Sequence, residues 1–78
     1  MKLTEAIELA KEAESQAKPI HGYETDKYFV FVMADLSGQI LGNNASFVVN
    51  KHSREAKWVP QSAFPLTDAG AFFREFEV

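Results

Sequence analysis

The chain has 78 residues, enough for one domain, and a net charge of −3, which argues against general affinity for nucleic acid because that needs cations to displace counterions from phosphate. It contains no cysteine, which excludes disulfides and thiolate metal sites and suits a reducing compartment. Seven Phe, two Tyr and one Trp supply enough buried area for a single core over residues 1–78 without such staples.

The N-terminal stretch MKLTEAIELAKEAESQ is charged throughout and has no apolar signal core. No stretch reaches the roughly 20 apolar residues of a membrane span. A cytoplasmic protein is therefore expected, its start being the mature start and with no membrane partner. Leu3, Ala6, Ile7, Ala10, Ala13 and Ala17 follow a helical spacing and predict one amphipathic helix. Thr4 is the expected N-cap, and Pro19 the expected terminator, because the residue before a proline leaves helical geometry. The stripe is mostly alanine, so Leu3, Ile7 and Leu9 must supply most of the docking area.

Ile20 to Asp26, marked by Gly22, reads as a connection, with a strand start at Tyr23 as an option. Tyr28 to Ala34 reads as a strand apolar on both faces. Such a strand is normally central or covered on both sides, so one face is expected against helices and the other against a partner or a second copy. Asp35 to Gly38 supplies a turn, Gln39 to Gly42 a short strand and Asn43-Asn44 a second turn. Ser46 to Asn50 is the next strand, Lys51 to Arg54 a polar loop, and Glu55 to Val59 an alternating strand stopped by Pro60. Trp58 shares a face with Ala56 and reads as core in preference to a binding hot spot. Gln61 to Pro65 reads as an extended link. A second helix is predicted from Thr67 as N-cap to Phe76, with Ala69, Phe72, Phe73 and Phe76 as its buried stripe. The expected fold is α+β: a small antiparallel sheet of three to four strands against an N-terminal helix and a short C-terminal helix.

Catalytic chemistry finds little support in these residues. His21, Glu24 and Asp26 form the only local metal-type cluster, and their spacing matches no helical ligand pair and no calcium loop. The serines at 15, 37, 46, 53 and 62 lie in no nucleophile motif, and Gly38 and Gly42 stand alone, so no phosphate loop is present. Glu8 and Glu12 read as a solvated helix face. The expectation is a non-enzymatic protein without cofactor or metal.

The segments Thr4 to Ala10, Leu41-Gly42-Asn43-Asn44, Phe47-Val48-Val49-Asn50-Lys51, Ser62-Ala63-Phe64-Pro65 and Phe72 to Glu77 follow one another in an order that resembles the immunity protein 35 family, also described as YrhB-like domains. The family tends to have Asp where Asn50 stands and Thr-Gly where Ser53-Arg54 stands. The resemblance implies a small cytoplasmic bacterial protein, encoded beside a toxin of a polymorphic toxin system, that binds the toxin and blocks it. Some of those systems carry papain-like peptidase domains. Its partner is then a cognate protein toxin, met through a rigid patch. The basic hairpin around Lys51, His52 and Arg54 is the first expected surface, followed by Asn43 and Asn44 and by the aromatic side of Tyr23 and Tyr28. A small homo-oligomeric structural or interaction domain, a homodimer being one form, is the alternative, and a small-molecule binder or enzyme a third.

Overall fold

A computed structural model of the chain describes residues 1–42, 45–60 and 71–78. Helix α1 spans Leu3–Ala13. Its N-cap position is Lys2, in extended geometry and without a side-chain cap, so Thr4 lies inside the first turn. The Lys2 carbonyl accepts the N–H groups of Glu5 and Ala6, at 3.1 Å each, and the acid at Glu5 suits the positive helix end. The helix stops at Ala13, well before Pro19. The Glu14 N–H returns to the Ala10 carbonyl at 3.0 Å, and the Ala17 N–H closes a turn onto the Glu14 carbonyl at 3.1 Å. From Ala17 onward strand pairing outweighs helical propensity, the ordinary way in which tertiary context overrides a weak local preference.

Five strands follow: β1 (Ala17–Thr25), β2 (Tyr28–Asp35), β3 (Ala45–Asn50), β4 (Ala56–Pro60) and β5 (Phe72–Glu77). They form one open sheet in the order β4-β3-β2-β1-β5, and every neighbouring pair is antiparallel. The α+β class holds, with two corrections. The sheet has five strands where three to four were expected, and Phe72–Glu77 is a strand where the end of a helix was expected. Thr67 to Gly70, the start of that expected helix, lie outside the described residues, as do Asn43-Asn44 and the link Gln61 to Pro65.

Both corrections have one cause. Of the expected connection Ile20 to Asp26, all but Asp26 belongs to β1, and a strand inside a sheet needs hydrogen-bond partners on both edges. β5 supplies the second edge, with pairing from His21↔Glu77 to Thr25↔Phe72. Gly22 and Pro19 mask β1 in the sequence. Pro19, paired with Met33, lies beyond the residues that β5 covers and beside a register shift, so its missing N–H removes no bond to β5. Pro60 closes β4 while still pairing with Ala45. The expected strand at Gln39 to Gly42 reduces to an isolated bridge, Ala34↔Ile40.

The core lies between α1 and one face of the sheet. Ala6, Ala10 and Ala17 meet Phe29, Phe31, Met33, Phe47 and Val49, and Leu3, Ile7 and Leu9 pack around them half-buried. Ala13, counted in the predicted stripe, is exposed. The small side chains of α1 let the aromatic sheet come close, so the sheet contributes most of the buried area. Phe76 of β5 meets Phe31 edge-on, with centroids 5.5 Å apart. Trp58 packs edge-on to Phe47 at 5.3 Å, and its indole Nε1–H donates to Glu14 Oε1 at 2.9 Å, tying β4 to the end of α1. Among the described residues no helix is long and apolar enough to cross a membrane.

Candidate partner-binding surface

The hairpin between β3 and β4 is built on Asn50. Its side-chain Oδ1 accepts the N–H groups of His52 at 2.8 Å and Ser53 at 3.0 Å, and its carbonyl accepts the N–H of Arg54 at 2.9 Å. An amide or carboxylate acceptor at this position organises the turn. Arg54 takes the left-handed conformation, with φ 63°, a region that favours glycine. Its guanidinium reaches Glu5 of α1 at 3.2 Å across an exposed gap. His52 is exposed at the tip.

Lys51 points elsewhere. Its Nζ sits 2.6 Å from Glu24 Oε2, and the two side chains are only 14% and 12% exposed. The ammonium also lies 4.9 Å from the Phe29 ring centroid and 4.8 Å from that of Phe73, so it is held between two aromatic faces. Arg74 Nε donates to the other Glu24 oxygen at 2.8 Å. Burial alone would raise the Glu24 pKa, but the hydrogen bonds from Lys51 and Arg74 outweigh it and hold the carboxyl below its ordinary range. The result is a clasp joining β1, β5 and the end of β3. Of the basic hairpin group, His52 and Arg54 face solvent and Lys51 serves the clasp. Tyr28 lies half-buried on β2, paired with Asn50, away from the hairpin tip. Asn43 and Asn44 lie outside the described residues.

The face of the sheet opposite α1 carries a different surface. Strand alternation puts Val30 and Val32 of β2, His21 and Tyr23 of β1, Ser46 of β3, and Glu75 and Glu77 of β5 on that side. They line an open groove of about 650 Å³. Its floor is apolar, and its β5 wall is acidic. His21 and Glu24 stand on opposite faces of β1, so the local metal-type cluster of the sequence is split by the pleat. β5 is also the outer strand, and its Phe72 and Phe73, with the adjoining Val78, are exposed, at 61%, 57% and 54%.

No family model matches the chain, and neither a curated protein nor a solved structure does so. The groove and the β5 edge thus rest on geometry alone. Sequence reasoning missed Glu75 and Glu77 because the helical spacing of Phe72, Phe73 and Phe76 absorbed them. The signal was present in period two: Phe76 faces the core and Glu75 and Glu77 face away, the alternation of a half-covered strand.

Proposed function

We propose that the chain is a bacterial immunity protein, a non-catalytic cytoplasmic binding module that neutralises a cognate protein toxin, a peptidase-type toxin being one class, by steric occlusion. The reading takes its biological content from the resemblance to the immunity protein 35 family. The observation that carries it is the continuous surface formed by the groove and β5, with apolar floor, acidic wall and exposed aromatic edge. A rigid sheet face of this kind suits a protein partner, which needs about 800 Å² per side. Inhibition by coverage requires no reacting group on the inhibitor.

The test is co-expression with the product of the adjoining gene. Growth rescue by the chain, together with a stoichiometric complex of the purified pair, is the expected result. Soluble chain without rescue and without a complex would overturn the reading. The exposed Phe72, Phe73 and Val78 favour one alternative, a homo-oligomeric interaction domain. A mass in solution that rises with concentration would support it.

A further inference from the structure

β5 has one paired edge and one outward edge. Among the described residues no strand lies beyond it. The N–H of Val78 donates to the Ile20 carbonyl at 3.0 Å, which makes Ile20 and Val78 a hydrogen-bonded pair. In an antiparallel ladder such pairs alternate, and Gly22↔Phe76 and Glu24↔Arg74 continue the series. Phe76 and Arg74 therefore turn their backbone groups toward β1, and Glu75 and Glu77 turn theirs outward. The same two residues carry the acidic side chains on the groove wall. A strand added at this edge would bond to the backbone of Glu75 and Glu77 and would set its own side chains directly opposite theirs. Its intervening residue would lie beside Phe76 on the other face.

A second copy of the chain is a poor occupant. Two β5 strands related by a two-fold axis perpendicular to the sheet pair residues of the same face. Every register that overlaps Arg74 to Glu77 then sets Glu75 or Glu77 against Glu75 or Glu77 of the other copy, or Arg74 against Arg74. Like charges directly opposite destabilise a sheet. Charge complementarity instead selects a basic strand.

We propose that β5 receives an extended segment of a partner protein by strand addition, and that this segment carries Lys or Arg at two alternate positions flanking an apolar residue. The inference rests on the binding-module reading above and names the chemistry of its partner. Backbone bonding supplies the affinity of such a complex, and alternate side chains its specificity. The acids of β5 then do more than guard an edge against aggregation, a role that alone would show no preference among peptides.

The probe is a synthetic peptide, acetyl-Thr-Lys-Val-Arg-Val-Thr-amide, against its counterpart with Glu in place of Lys and Arg. Amide signals of the labelled chain are followed during titration. The basic peptide is expected to shift Phe72 to Glu77, to slow exchange of the Glu75 and Glu77 N–H groups, and to bind at least tenfold more tightly than the acidic one. The variant Glu75→Gln/Glu77→Gln, changed only at exposed positions, should keep the fold and lose the preference. No binding at millimolar peptide, equal binding of both peptides, or shifts confined to another surface would overturn the proposal. Growth rescue by the parent chain, assayed beside the titration, separates the two readings. Rescue by the parent chain without peptide binding on β5 removes the strand inference and leaves the immunity reading. Binding on β5 without rescue does the reverse.

Discussion

At Arg54 a side chain occupies a backbone region that favours glycine, and the surrounding turn holds it there through the Asn50 carbonyl and side-chain bonds. A left-handed residue with a Cβ costs roughly 1–2 kcal/mol, and its ion pair with Glu5 is exposed and screened by solvent, so it offsets little of that. Arg54→Gly should therefore raise stability by up to about 1 kcal/mol, read as an upward shift of several degrees in the thermal midpoint. Lys51 predicts the opposite. Lys51→Glu would set a second carboxylate against Glu24 in a site about seven-eighths covered, and should lower stability by roughly 3 kcal/mol in urea titrations. Contacts of the hairpin with a partner are thus best tested at His52 and Arg54, where a charge change leaves the clasp intact. Acid should act through the same carboxylates. Hydrogen bonds from the Ser37 hydroxyl and the Gln39 N–H lower the Asp35 pKa, and its bond to Arg54 lowers that of Glu5. For Glu24 the charged partners outweigh burial. All three folded values lie below the unfolded ones, so their contribution is complete above about pH 5, beyond the unfolded values, and is lost as pH falls through the folded values. The urea midpoint should be level between pH 7 and 5 and fall steeply below 4, less steeply in Glu24→Gln.

Among the elements, legibility followed how local the deciding interactions are. α1, β2, β3 and β4 announce themselves through spacing within their own residues, and the structure moves their ends by a few positions. β1 and β5 do not: β1 pairs with β2 but is broken up in sequence by Pro19 and Gly22, and β5 is a strand only through its pairing with β1. Gly22 shows why. A glycine usually marks a break, but here it marks a close approach: a Cβ at this position would stand 2.0 Å from the Val30 carbonyl oxygen. The atoms in the way are all backbone of β2, from Val30 and Phe31, so no side-chain movement could make room. Gly22→Ala must push β1 from β2, and should lower stability by at least about 2 kcal/mol, measured by denaturant unfolding. The candidate site was legible to the same degree as these strands. His52 and Arg54 are exposed in a turn that reads directly from Asn50 to Arg54. Glu75, Glu77 and the groove exist only once β5 is known to lie beside β1.

For the molecule as a whole, the order β4-β3-β2-β1-β5 combines a meander of successive strands with one distant closure. The hairpins β1–β2, β2–β3 and β3–β4 join near neighbours in sequence, whereas β5 must return to a strand some 50 residues earlier, as the Glu24 to Arg74 bond records. Closing long loops is the slow and entropically demanding part of folding. β5 is also nearly all exposed, with Phe76 as its half-buried anchor. Hydrogen exchange in the native state should therefore release the Phe76 amide, which faces β1, well before those of β2 and β3, and equal protection across the sheet would contradict this order.

The clasp at Glu24 has a further consequence, because it spans the seam where that late strand joins. Lys51 and Arg74 meet on one carboxylate, so the end of β3 and the middle of β5 are held by the same residue of β1. Any ligand that binds the outer edge of β5 only while β5 is docked also holds this seam closed. Its binding free energy then adds to the stability of the whole domain, and occupancy of one peripheral strand can be read as a rise in melting temperature that grows with ligand concentration.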